Sequence, residues 1–165
     1  MNYNVILEKI AKENENKKIG IFVDMDGVIA DYNFGDVHDI KNNVSGIYLN
    51  KRPINTVIEI LKRVARNYNF EMYILSSCLF DEQGKEKDKW LDLNAPFFPK
   101  KNRIFTIADT YGDRNRLKIK KIEEKISSGE IDFSILIEDT HEILFLGKRI
   151  LRNKIVPIHV ISLID

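Results

Sequence analysis

The stretch IGIFVDMDGVIAD, residues 19–31, constrains this chain more than any other. A short apolar run, Ile19 to Val23, ends in Asp24, with a second acid at Asp26 and then Gly27. Its length, β-branched content and closing turn signal are those of a buried strand. A strand of a parallel sheet, covered on both faces, reads as a continuous apolar run, and this one does. Carboxylates at the C-terminal end of such a strand lie where open α/β sheets bind ligands. Strand alternation would point Asp24 and Asp26 the same way. Gly27 would let the chain turn tightly beneath a ligand.

Further strands are expected at Phe70–Leu75, stopping at Ser76-Ser77, at Arg103–Ile107, at Ser134–Ile137, ending in Glu138-Asp139, and at Ile155–Ile161. Helical spacing is read over residues 3–15, from Pro53 to Asn67, and over 82–94, 116–127 and 141–151. Pro96 and Pro99 close the third of these, and YGDRNR before the fourth reads as a turn or loop. Strands alternating with helices predict an α/β fold: a mainly parallel five-stranded sheet with helices on both faces. Residues 32–52 break the alternation as a polar insertion carrying Tyr32, Phe34, His38 and Tyr48. At 165 residues, one domain over residues 1–165 is expected.

Composition removes several function classes. Hydrophobic residues make up 44% and charged residues 31%, which excludes a disordered chain. A net charge of +1 gives no general drive toward nucleic acid or anionic membrane. No apolar run reaches membrane-span length, and residues 1–18 lack the apolar core of a signal peptide. A single cysteine, Cys78, cannot form an internal disulfide, so a reducing, cytoplasmic location is expected. No Arg follows Cys78 closely, as a thiol phosphatase would need, so Cys78 reads as core. His38, His141 and His159 form no metal-ligand pattern, and no GxxxxGK[ST] loop occurs.

If the strands are parallel, Asp24, Asp26, Ser76, Ser77, Glu138 and Asp139 converge at one edge of the sheet. Four acids there repel one another unless a cation is bound. Hard oxygen donors without His or Cys favour Mg²⁺. The serines supply donors for an anion. The coherent chemistry is phosphoryl transfer, in which one Asp attacks phosphorus and a second moves the proton.

The order of motifs resembles the haloacid-dehalogenase (HAD) superfamily of phosphotransferases. DMDGV matches its first motif, DxDGx[TV]; ILSS matches its second, an apolar strand ending in Ser or Thr; ILIED matches its fourth, an acid pair closing a strand. The resemblance implies a three-layer Rossmann-like fold and an aspartyl-phosphate mechanism. Asp24 would be the nucleophile and Asp26 the general acid/base. The metal set would draw on Asp24, Asp26, Asp139 and Glu138, with Ser76 on the transferring phosphoryl group and Ser77 beside it. The third-motif cation would be Lys118, with Lys120 and Arg116 as alternatives. Within the superfamily, DMDGVIADY resembles the 5′(3′)-deoxyribonucleotidase group, as does Lys87 three residues before Trp90. That likeness implies that Lys87 contacts phosphate, that Tyr32 stacks on a nucleobase, and that the substrate is a nucleoside monophosphate.

Two departures stand out. Glu138 replaces the usual first Asp of the terminal pair, which suits an outer role reaching metal-bound water. The insertion at 32–52 is a minimal cap, which leaves the site open to a large phosphoester or to coverage by another subunit. A sugar phosphate, a phosphoprotein or a nucleic-acid end would use the same fold, and a non-catalytic binding module would keep the sheet without turnover.

Overall fold

A computed structural model describes residues 3–164. The chain runs α1 (Tyr3–Glu13), β1 (Ile19–Val23), α2 (Val37–Lys41), α3 (Asn55–Asn67), β2 (Glu71–Cys78), α4 (Asp81–Asn94), β3 (Arg103–Ile107), α5 (Tyr111–Ser127), β4 (Phe133–Glu138), α6 (His141–Leu151) and β5 (Ile155–His159). The five strands form one parallel sheet in the order β3-β2-β1-β4-β5. This is the expected α/β architecture. The order reverses between β1 and β4, so a crevice opens there at the C-terminal ends of the strands.

Alternation along the strands divides the core into two layers. Ile19, Ile21 and Val23 of β1 and Ile135 and Ile137 of β4 pack with residues of α1, α3 and α4. Phe22, Tyr73 and Leu136 face the other way, with Ile119 and Ile122 of α5 and Ile143 and Leu144 of α6. Phe22 and Tyr73 are register partners, and their rings stack at 4.6 Å. All of β1 is buried, as a central strand covered on both faces must be.

Several boundaries differ from the sequence reading, each for a local reason. β2 runs past Leu75 to Cys78, because Ser76, Ser77 and Cys78 pair with Phe105, Thr106 and Ile107 of β3. YGDRNR is not a turn; it forms the first turns of α5, capped by Thr110, whose side chain accepts from Asp113 N. β5 stops at His159, whose Nδ1 accepts from Ile161 N and turns the chain into a 3-10 segment, Val160–Leu163. Pro53 precedes α3 and bridges Ala30 instead. α1 buries Leu7 and Ile10, while Val5 is exposed. The insertion carries a 3-10 turn, Phe34–Asp36, and the short α2.

Candidate active site

Register brings the acids together. Val23 pairs with Ile137, and Asp24 N donates to Ile137 O at 3.0 Å, so Asp24 stands beside the end of β4. The chain then folds back on itself, with Met25 O accepting from Ile29 N and Ala30 N and Gly27 N donating to Ala30 O at 2.8 Å. Gly27 has a φ of 75°. A Cβ there would collide with the Asp139 carboxylate, so glycine is required both for the turn and for the close approach of Asp139. Carboxylate oxygens of Asp24, Glu138 and Asp139 lie within 4.8 Å of one another.

Asp24 and Asp26 do not share a partner. β1 ends at Val23, so alternation no longer governs the turn, and lysines from opposite helical layers hold the two carboxylates. From α5, Lys118 Nζ sits 2.9 Å from Asp24 Oδ1 and 2.8 Å from Glu138 Oε2. From α4, Lys87 Nζ donates to Asp26 Oδ2 at 2.6 Å, to Ser76 Oγ at 2.9 Å and to Ser77 O at 2.8 Å. Both lysines are buried. Burial alone would lower the Lys118 pKa, but the charges of Asp24 and Glu138 outweigh it and the net shift is upward. For Lys87 the same opposition holds: burial lowers, chiefly Asp26 raises, and the net is upward. Glu138 moves the other way. Burial, then the Asp24 charge, raises its pKa well above the usual range against the pull of Lys118.

The oxygens left over define what the site can take. Asp24 Oδ1 meets Lys118 without hydrogen-bond alignment, and it and Asp26 Oδ1 are buried yet accept no hydrogen bond. Buried carboxylate oxygens are rarely left so without a ligand. The acidic cluster of Asp24, Glu138 and Asp139 is all hard oxygen and fits Mg²⁺. The Asp26 carboxylate is not part of that cluster, its Oδ2 being turned to Lys87. Glu138 already accepts from Lys118, and its Oε1 faces the N–H groups of Asp139 and Thr140. Asp139 Oδ1 accepts from the Thr140 hydroxyl at 3.1 Å.

The remaining sequence candidates fall in several places. The Ser76 hydroxyl is buried and accepts from Lys87, whereas that of Ser77 pairs with Thr106 on β3 at 3.0 Å, because neighbouring strand residues face opposite layers. The pair of serines therefore narrows to Ser76, with Ser77 contributing its carbonyl to Lys87. Lys118 reaches Asp24, while Lys120 and Arg116 are exposed and form no ion pair with the cluster. Tyr32 is 43% exposed and meets Phe34 edge-on at 5.4 Å. Cys78 is buried, burial pushes its thiol pKa up, and it is not a nucleophile of the kind a thiol phosphatase needs. Trp90 is core, with its indole N–H on Lys51 O. His159 Nε2 lies 2.9 Å from Asp139 O and its ring stacks on His141. A groove of about 870 Å³ runs along α4 and β3 past Asp88, Arg103 and Phe105 and contains none of the acids of the cluster.

What sequence reasoning passed over on α4 is Gln83 and Glu86, which share its inward face with Lys87 and Trp90. Gln83, Glu86, Lys87 and Trp90 follow i, i+3, i+4, i+7 spacing and all point into the protein, three of them buried to 1% exposure or less. A mixed polar stripe resembles a solvated surface, and only the lone Trp90 in it signals burial.

The chain has a Rossmann-like α/β fold, one parallel five-stranded sheet with helices on both faces. One solved structure of similar fold is described as a haloacid dehalogenase-like hydrolase from Burkholderia xenovorans LB400, with a TM-score of 0.58, 11% identity, and coverage of 85% of this chain and 80% of that one. At that identity the likeness is one of fold. No protein-family model matches the sequence, and no curated protein sequence is similar to it. Among the described residues, no helix is long and apolar enough to cross a membrane.

Proposed function

We propose that this chain is a Mg²⁺-dependent phosphomonoester hydrolase of the haloacid-dehalogenase type, acting through an aspartyl phosphate on nucleoside monophosphates. In this reading it works as one domain with residues 32–52 as a minimal cap, in a reducing cytoplasm. The observation that carries the reading is Asp24: a buried carboxylate at the sheet's switch point, flanked by Lys118 and the Glu138-Asp139 pair.

The residues divide the work as follows. Asp24 attacks phosphorus, and the bond from phosphorus to the ester oxygen breaks. Lys118 offsets the charge of Asp24 beside the incoming dianion. Ser76 donates its hydroxyl to a phosphoryl oxygen, and Lys87 brings its ammonium to another. The phosphate thus competes with Asp26 for Lys87, and the Asp26 carboxylate so freed takes up a proton from solvent and passes it to the leaving oxygen. Asp26 then takes a proton from water, which attacks the aspartyl phosphate, releasing orthophosphate and restoring Asp24. Asp24, Asp139 and the Asp26 carbonyl would hold a Mg²⁺ ion, which would offset the charge of the phosphoryl oxygens.

Hydrolysis of p-nitrophenyl phosphate should therefore require Mg²⁺ and fall to background in EDTA. Full turnover in EDTA would reject the metal role.

Tyr32 is the residue on which the nucleotide assignment turns. It stands at the exit of the Asp24 turn, beside the 84% exposed Phe34. Base stacking on such a ring is worth roughly 1–3 kcal/mol, or about 5- to 150-fold. Tyr32→Ala should lower kcat/KM for deoxynucleoside monophosphates by that factor and spare p-nitrophenyl phosphate and sugar phosphates. Equal losses on all three substrates, with a lowered Tm, would leave a phosphatase whose substrate is not read through the base.

A further inference from the structure

Residues 32–52 are wired to the phosphate end of the site through Tyr48. Its side chain is buried, and its ring lies 4.4 Å from Lys87 Nζ. On the insertion side, Lys51 Nζ lies 5.5 Å from the same ring and 5.6 Å from that of Tyr32. Cation and ring thus alternate from the mouth inward: Tyr32, Lys51, Tyr48, Lys87. Lys51 is itself buried and anchored on Asp31 O and Asp36 Oδ2.

The column is held in register by α4. The Glu86 carboxylate accepts from Gly46 N and Tyr48 N, the Gln83 amide donates to Ile40 O, and the Trp90 indole donates to Lys51 O. These three residues and Lys87 share one face of the helix. The helix that carries the phosphate-facing lysine therefore also grips the insertion on both sides of Tyr48.

Lys87 needs such a wall. An ammonium has three N–H donors on a flexible stem, and all three are spent, on Asp26, Ser76 and Ser77. The Tyr48 ring occupies a further side, where an electron-rich face attracts the cation without demanding a proton. It keeps water off Lys87 while one N–H passes from Asp26 to a phosphoryl oxygen.

We propose that Tyr48 is a positioning residue, whose ring holds the Lys87 ammonium for the phosphoryl group. The proposal deepens the phosphatase reading and rests on it. The ring is what matters, so Tyr48→Phe should behave as wild type. Tyr48→Leu should raise KM for p-nitrophenyl phosphate, and the dissociation constant for orthophosphate measured by calorimetry with Mg²⁺, by about tenfold. In the same variant kcat should change less than KM. Glu86→Gln acts from the backbone side without removing the ring, and should raise both constants in the same direction by a smaller factor. It keeps the test open if Tyr48→Leu does not fold. A folded Tyr48→Leu with KM and phosphate affinity unchanged would overturn the proposal, as would equal losses in Tyr48→Phe and Tyr48→Leu. With Tyr48→Leu unfolded, an unchanged Glu86→Gln would do the same. A wild-type chain that neither hydrolyses the ester nor binds orthophosphate would instead overturn the phosphatase reading beneath it.

Discussion

Asp24→Asn should abolish phosphate release while leaving the fold in place. The amide keeps the shape of the carboxylate but is a very poor nucleophile toward phosphorus. Its surroundings predict a tolerated substitution. Asp24 is buried beside Glu138 and Asp139, so removing its charge relieves repulsion on one side while weakening the pairing with Lys118 on the other. Circular dichroism and Tm should stay close to wild type as activity on p-nitrophenyl phosphate falls to background. Asp26→Asn should cost about 10²–10⁴-fold, the usual share of positioned proton transfer. Near-wild-type kcat in Asp24→Asn would remove the covalent mechanism.

Lys118→Ala should be the most damaging of these changes to stability, and should also lower activity severely. Lys118 is the buried cation between Asp24 and Glu138, with contacts of 2.9 and 2.8 Å. Its loss leaves buried carboxylates uncompensated, and breaking a buried pair in this way costs about 3–5 kcal/mol. The deficit is electrostatic, so a divalent cation should make good part of it. In a thermal melt, adding Mg²⁺ should raise the Tm of Lys118→Ala more than that of wild type. kcat should stay far below wild type at saturating Mg²⁺, because the charge beside the nucleophile is still missing. A Tm unchanged from wild type would mean that Lys118 does not compensate these acids. A large loss that Mg²⁺ does not reduce would mean that the acids do not form a metal site.

The parts of this molecule that were legible in the sequence are those written in short-range pattern. β1 is apolar at nearly every position because both its faces are covered, and the acids follow it because its C-terminal end faces the crevice. The bounds of α6, His141–Leu151, were readable from spacing alone. Less legible was the start of α5. Tyr111 to Arg116 carry a glycine and turn-like polar residues, and only the Thr110–Asp113 capping pair marks a helix. The direction of Asp26 was illegible for a different reason: alternation holds inside a strand, and Asp26 lies in the turn beyond it. Ser77 shows the reverse case, since its alternation with Ser76 sends its hydroxyl to Thr106. The polar stripe of α4 depends on long-range partners in the insertion, such as Ile40 O and Gly46 N, which no local window contains.

The chemistry assigned to Asp24 can be caught directly. An acid quench during turnover of a phosphomonoester with Mg²⁺, followed by peptide mapping by mass spectrometry, should find phosphate on the peptide containing Asp24. Hydroxylamine should remove it, as it does an acyl phosphate, and Asp24→Asn should lack it. Steady phosphate release with no acyl phosphate on that peptide, or with phosphate carried by another residue, would contradict the account.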